Sequence, residues 1–420
     1  MYPAGVETTH CGGVRMEQRI DQGEPERDGL DEDWAIVEAL LPERWMEMAR
    51  ESGVFRRARG IADARALLKV MLIHLAEGCS LRETAVRANR AGIAQVSDVA
   101  LLKRLRSCGP WFEWLAQRLR ETPELRVLGS HARQPLLGDR RLRVVDGSIV
   151  REPGPTGTQW RLHYAIGLPG LQCQEVHVGP SAEGETLKRF EVRAGDIFMA
   201  DRGYAHPGGV AHVTQRGGDV IVRLNLVTLP LYETDAGQGT RSCDILAHAR
   251  SLKMGQARSW EVSVRPKPEP GSKAKARGSA APVIAGRLCV LRKCAEAAAR
   301  SRERVRRESQ RGGTALQPQT LEAADYVFVF TTLAPEVSAE QVLEVYRLRW
   351  QIELEFKRLK SLIQLGHLKK HDDQAARSWL QGKLLVALLV ARLIAHAERI
   401  SPWGYEIAWF EQSPQRLPVA

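Results

Sequence analysis

Three acidic residues stand where a divalent cation would be at home. Asp146 closes the apolar pair Val144-Val145 and precedes Gly147, and Asp201 closes Ile197-Phe198-Met199-Ala200 and precedes Arg202-Gly203-Tyr204. A carboxylate at the C-terminal end of a buried strand is costly unless it is solvated, paired or on a metal. Taken singly, each reads as a loop-capping aspartate at a strand end. As a pair on neighbouring strands they would repel, and a cation between them resolves the repulsion.

The third carboxylate comes from the run VLEVYRLRWQIELEFKRLKSLI, which reads as part of one long helix beginning after Ser338. Projected at about 100° per residue, Leu348, Ile352, Phe356, Leu359 and Ile363 form the core-facing stripe. Tyr346, Arg349, Glu353 and Lys360 form one polar ridge along its edge, and Glu355 falls on the other side of the stripe. The ridge therefore selects Glu353. Arg349 and Glu353 also read as an ordinary i,i+4 ion pair on a half-solvated strip. A tyrosine, two cations and a carboxylate together suit a metal ligand flanked by phosphate-binding groups.

The elements that must position these residues show a change of texture. Residues 1–32 are acidic and turn-rich, the composition of a disordered segment. From Asp33 to about Arg120 the pattern is helical: ADARALLKVMLIHLAEG, then LRETAVRANR capped by Ser80, DVALLKRLRSC capped by Ser97, and WFEWLAQRLR as a further helix. Short helices with Gly turns and arginines at 82, 87, 90, 104 and 106 fit a helix-turn-helix DNA-binding module or a plain bundle with a basic face. Strands follow at RLRVVDGSIV, QWRLHYAIGL, LQCQEVHVG, DIFMAD and DVIVRLN, with short helices in ETLKRFEV and HPGGVAHVTQRG. This is a mixed sheet with helices on its faces.

The rhythm breaks over 226–325, which reads as an insertion. It holds the strand patterns SWEVSVRP and PVIAGRLCVLRK, the flexible stretch PKPEPGSKAKARGSAA and an Arg-rich helix. Sheet texture resumes at DYVFVFTTL, and a last apolar helix occupies about 378–398. The expected divisions are a leader (1–32), a helical DNA-binding domain (33–135), a core in two parts (136–225 and 326–400) around a basic β-rich insertion (226–325), and a tail (401–420).

Charge points to a polyanion. The chain of 420 residues carries a net charge of +11, and residues 251–313, with sixteen basic and five acidic residues, hold an excess of the same size. An internal basic block of this kind is the footprint expected for a nucleic acid. Seven dispersed cysteines without a CxxC pair exclude a disulfide framework or zinc ribbon and suit a reducing cytosol. The N-terminus lacks the apolar stretch of a secretory signal, and the apolar run Leu384–Ala391 is too short to span a bilayer, so no membrane is expected. No phosphate-binding G-x-x-x-x-G-K-[ST] occurs, so no nucleotide cofactor is expected. Six histidines, at 163, 177, 206, 212, 367 and 371, show no ligand spacing and receive no role.

The spacing Y-x2-R-x3-E-x6-K, met by Tyr346, Arg349, Glu353 and Lys360, resembles the YREK signature of the bacterial DDE transposases of the IS-four family. VVDGS and MADRGY resemble that family's two aspartate strands, SWLQGKLLVALL resembles its closing helix, and the resemblance extends over about 33–400. It implies an α/β fold: a ribonuclease-H-like core interrupted by a β-rich insertion and preceded by an all-α domain. Asp146, Asp201 and Glu353 would then bind two Mg ions, which Mn could replace, for cutting and joining DNA. Tyr346, Arg349 and Lys360 would contact phosphates near the cleaved end. Arg202 would reach DNA or pair with an acid. Trp260 would stack a flipped base or serve as a core residue of the insertion. The implied partners are terminal inverted repeats and target DNA, bound by a homodimer, in the cytoplasm with the nucleoid. Rival readings are a nuclease without transposition, a domesticated DNA-binding protein and an RNA-binding scaffold.

Overall fold

The computed structural model describes residues 27–121, 138–152, 159–168, 170–224, 226–235, 239–267, 282–313, 315–366, 368 and 372–400. The acidic leader to residue 26, the tail from 401 and the Lys-rich stretch 268–281 lie outside the described residues. The chain divides into two compact units, residues 1–39 and 40–420. In the first, helix α1 (Arg27–Leu40) begins six residues inside the segment expected to be disordered.

The second unit opens with α2 (Trp45–Glu51), α3 (Ala64–Ala76), α4 (Leu81–Arg90) and α5 (Asp98–Glu121). Asp63, Ser80 and Ser97 cap α3, α4 and α5 by accepting from Ala66, Glu83 and Ala100 backbone N–H groups. The two helices expected at 98–108 and 111–120 are one. Pro110 lies inside α5 and cannot donate to the Arg106 carbonyl four residues back. Ser378 Oγ, on the long helix α12 (Asp373–Ile400), donates to that carbonyl at 3.0 Å instead. Gly109 admits the approach, since a Cβ there would fall 2.8 Å from Ser378 Oγ. The N-terminal helices are thus fastened to the C-terminal one. By length and composition Asp373–His396 is apolar enough to cross a membrane, but 67% of its apolar window is buried inside the protein.

Three of the five arginines that suggested a DNA-binding face are engaged internally. Arg87 pairs with Glu77 and Glu83, Arg104 donates to the Val54 and Arg57 carbonyls, and Arg106 pairs with Asp372.

One ten-stranded mixed sheet follows, ordered β3-β2-β1-β4-β5-β10-β9-β8-β6-β7. Its strands are β1 (Arg141–Arg151), β2 (Gln159–Leu168), β3 (Gln172–Pro180), β4 (Asp196–Ala200), β5 (Asp219–Arg223), β6 (Tyr232–Asp235), β7 (Gly239–Ser242), β8 (Ala257–Val264), β9 (Ile284–Arg292) and β10 (Tyr326–Thr331). Only β1/β4 and β4/β5 pair in parallel. Every residue of β4 is buried, as expected for a central strand covered on both faces. The remaining helices are α6 (Pro207–Thr214), α7 (Ile245–Arg250), α8 (Ala295–Gly312), α9 (Pro318–Ala323), α10 (Ala339–Arg347) and α11 (Trp350–Ser361). Strands β6–β9 do not form a separate sheet: they prolong the main one beyond β10.

Candidate active site

Register brings the two aspartates together. Val145 pairs with Ala200 across β1/β4, so Asp146 and Asp201 occupy the next matching positions, one strand spacing of about 4.8 Å apart. Asp146 is not at a strand end, as expected, but in mid-strand. Strand β1 continues to Arg151 because β2 keeps pairing with it, Asp146 against Tyr164, after β4 has stopped. The loss of β4 as a neighbour is what opens space at Asp146.

Asp146 Oδ1 accepts from the Gly147 N–H at 2.7 Å, and Asp201 Oδ1 accepts from the Gly203 N–H at 2.9 Å, capping a short 3-10 turn at Arg202–Tyr204. Burial, then the Asp201 charge, pushes the Asp146 carboxyl up to about 7, against the Gly147 N–H and Arg349. A third carboxylate, Glu185, lies beside the pair and is also raised, by burial and by Asp201. Its nearness accounts for both glycines. A Cβ on Gly203 would fall 1.7 Å from Glu185 Oε2, and one on Gly147 would fall 2.7 Å from Oε1. Tyr204 ends the turn inside the core, where its hydroxyl shares a 3.0 Å hydrogen bond with buried His163 of β2.

The expected single long helix is two, α10 and α11. Around Leu348 and Arg349 the backbone bonds close on the third residue back: Leu348 to Val345, Arg349 to Tyr346, Gln351 to Leu348 and Ile352 to Arg349. Such steps turn about 120° per residue instead of 100°. The uniform projection therefore fails across the junction, and Tyr346 is buried rather than on a half-solvated edge. Within α11 the core stripe of Ile352, Phe356 and Leu359 is buried. The Phe356 ring lies 5.9 Å from that of Tyr164, the cross-strand partner of Asp146.

This packing sets Glu353 near the aspartates through Arg349. The Arg349 guanidinium lies 3.7 Å from Asp146 Oδ2 and also donates to Glu353 Oε1. Asp146 and Arg349 are largely buried, whereas the Glu353 side chain is 50% exposed. Glu355, away from the aspartates, pairs with Arg358 at 3.7 Å. The Tyr346 hydroxyl is buried with no hydrogen-bond partner among the described residues. Burial pushes it up to about 12, while Arg349, Arg223 and Arg202 pull the other way.

Arg223 was not expected. Ala200 pairs with Val222 across β4/β5, so Asp146, Asp201 and Arg223 stand in one row on three consecutive parallel strands. Among the described residues neither Arg223 nor Arg202 has an ion pair, which leaves Arg202 without the acid partner considered for it. Burial, then the Arg202 charge, lowers the Arg223 pKa. Lys293, just past β9, is held by Ser301 Oγ and the Ala324 carbonyl and is lowered to about 8 by burial and then by Arg223, Arg304 and Arg202. The carboxylates therefore border a cationic field. Its signal in the sequence is the residue after the apolar run Val220-Ile221-Val222, the same signal that marked both aspartates.

Two expected residues are not drawn in. Lys360 is exposed and makes no hydrogen bond or ion pair among the described residues. Trp260 lies on β8, four strand spacings or about 19 Å from β4 across the sheet. It packs against the core, with the His248 ring 4.8 Å away and the Arg258 guanidinium 5.6 Å away. A cavity of about 1170 Å³ opens at the opposite edge of the sheet, lined by Arg143, Glu175 and Asp196.

Residues 137–389 match the model of the family described as Transposase DDE domain. The chain is 35% identical over 368 residues to the transposase for insertion sequence element IS421 of Escherichia coli, covering 86% of this chain and 94% of that one. It is 35% identical over 367 residues to the InsL protein of insertion sequence element IS186A of Escherichia coli (strain K12), with the same coverage. The transposase for insertion sequence element IS231F of Bacillus thuringiensis subsp. israelensis is 24% identical over 60% of this chain and 56% of its own length.

Proposed function

The chain belongs to the transposase DDE domain family and is an insertion-sequence transposase, an enzyme of DNA cleavage and strand transfer; we propose that Asp146, Asp201 and Glu353 are its catalytic carboxylates. One observation carries this reading. Two aspartates stand side by side on parallel strands, and Arg349 joins the first of them to Glu353.

The donor set fits hard divalent cations. It offers carboxylate oxygens alone, and Asp146, raised by burial and then by the Asp201 charge, is a carboxylate whose ionised form a cation would favour. We assign two Mg ions, with Mn as a substitute, to Asp146, Asp201 and Glu353; bound there they would supply activation of water or a DNA 3′-hydroxyl and stabilisation of the leaving oxygen. The protein's own groups do the rest. Arg349 balances Asp146 and Glu353 in the free enzyme and turns to a DNA phosphate when cations take over that task. The Tyr346 hydroxyl, buried with no hydrogen-bond partner among the described residues, donates to a phosphate oxygen in this reading. Arg223 and Arg202 hold the same strand beside Asp201, and Lys360 meets the backbone two helical turns beyond Glu353.

The strand order supports a ribonuclease-H-like core of 136–225 and 326–400, with 226–325 as the insertion between Asp201 and Glu353. The helices of 33–135 serve DNA binding in this reading. The substrate is a pair of terminal inverted repeats held by two copies of the chain, in the cytoplasm with the nucleoid. Trp260 fits the role of a core residue better than that of a base platform. Incubating the protein with Mg and the DNA flanking its reading frame tests the proposal: nicked ends joined to a second duplex are expected, and nicking without joining would reduce the enzyme to a nuclease.

A further inference from the structure

We propose that Glu233, Cys243 and His248 form a second metal site, for a thiophilic divalent cation of the zinc class, separate from the DNA-cleaving carboxylates. The three donors come from three elements. Glu233 lies on β6, Cys243 directly follows β7, and His248 lies on α7. Their ligand atoms all fall within 4.8 Å of one another. Cys243 is buried, and the Glu233 and His248 side chains are 14% and 26% exposed.

The donor types decide the metal. A thiol, an imidazole and one carboxylate are the ligands of zinc, with Zn–S near 2.3 Å and Zn–N or Zn–O near 2.0–2.2 Å. Mg and Ca prefer oxygen alone and would go to Asp146 and Asp201 instead. Coordination sends the Cys243 thiol proton to solvent, and a water completes the tetrahedron.

The surroundings hold the ligands in place. Asp244 caps α7 by accepting from Ala247 N–H at 3.0 Å, which fixes His248 relative to Cys243. The Cys243 N–H donates to the Leu231 carbonyl at 2.9 Å. The His248 ring packs on Trp260, and Arg241 lies 3.4 Å from the second oxygen of Glu233. Such outer partners orient metal ligands. His248 Nε2 and Glu233 Oε1 are hydrogen bonded to each other, a pair that a cation would part to reach tetrahedral spacing.

The site also answers a local shortage of stability. Strands β6 and β7 have four residues each, and α7 has six. Among the described residues the hairpin joins the rest of the sheet through one ladder pair, Tyr232 with Ser263. A two-stranded hairpin and a helix of one and a half turns are marginal alone. Cys243, Leu246 and Ala249 anchor them in the main core, and a cation would tie all three elements to one another as well.

Cobalt reports thiolate ligation. The full-length protein, stripped with chelator and titrated with Co, is expected to show a thiolate-to-cobalt charge-transfer band at one equivalent and to lose it to added Zn. Cys243→Ser and His248→Gln should each abolish the band and the stoichiometric zinc, while Cys294→Ser, an exposed cysteine elsewhere, keeps both. Asp146→Asn, which alters only the oxygen-donor site, should also keep the band, so this proposal and the carboxylate assignment fail separately. No band in the wild type, or a band that survives in His248→Gln, overturns the site. Should Cys243→Ser not fold, His248→Gln and the wild-type titration decide the matter.

Discussion

Arg349 lies 3.7 Å from Asp146 and bonds to Glu353 in the same reach, so a guanidinium links the first and last carboxylates of the candidate site. The free protein thereby keeps two acids close that would otherwise repel. In the proposed reading this same group turns to a DNA phosphate once cations neutralise the two acids.

The balance at Asp146 is incomplete, and this gives a stability prediction. Its carboxyl is raised to about 7, so in the metal-free protein it is protonated when folded between the unfolded value and about 7. The folded state then binds more protons than the unfolded one, and stability falls as pH rises through that window. Asp146→Asn removes the penalty. In chelator it should be nearly equal to wild type at pH 4 and more stable at pH 8, by on the order of 4 kcal/mol at about 1.4 kcal/mol per pH unit of the shift. Equal thermal midpoints at both pH values would contradict the repulsion.

Gly203 yields a sharper test of geometry. An alanine there puts its Cβ on Glu185 Oε2, so Glu185 must move beside Asp201. A shift of about 1 Å at a reacting centre costs up to roughly 100-fold in rate. Gly203→Ala should lower single-turnover cleavage by at least tenfold on that scale, with the circular dichroism spectrum preserved. Unimpaired cleavage would remove Glu185 from any part in the site.

Ser378 and Pro110 give a prediction remote from chemistry. Ser378→Ala leaves the Arg106 carbonyl without its donor and should cost about 1–2 kcal/mol in urea unfolding. Pro110→Ala restores a backbone N–H to that carbonyl, so in its background the Ser378 change should be nearly neutral. Additive effects would mean that the hydroxyl does not replace the missing helix bond.

The DNA track is tested by salt. Arg223→Gln and Lys360→Ala should each weaken end binding and make the slope of log binding constant against log salt shallower by about one. An unchanged slope for either variant removes that residue from the phosphate contacts.

Much of the frame was legible because it is local. The apolar runs Val144-Val145 and Ile197–Ala200 announce their strands, and Ser80 and Ser97 announce their helices. What stayed hidden depends on partners distant in sequence. Arg223 joins the aspartate row through strand register, and Glu185 explains two glycines through a loop approach. Helix α5 survives Pro110 because Ser378, 272 residues from the Arg106 it serves, supplies the missing bond. The break at Leu348 is a local tightening that no hydrophobic period encodes. Glu233, Cys243 and His248 have no ligand-like spacing, since a hairpin and a helix turn gather them.

The central claim is that Asp146, Asp201 and Glu353 act as one metal-dependent unit on DNA. The most direct measurement is cleavage of a terminal-repeat duplex with Mg by Asp146→Asn, Asp201→Asn and Glu353→Gln, with binding to the same duplex followed in parallel. All three should bind within a few-fold of wild type and show no cleavage above background, a loss of at least 100-fold on the scale of a removed charge-stabilising group. Retained cleavage in any one of them would contradict the assignment of that carboxylate, and retained cleavage in all three would contradict the site.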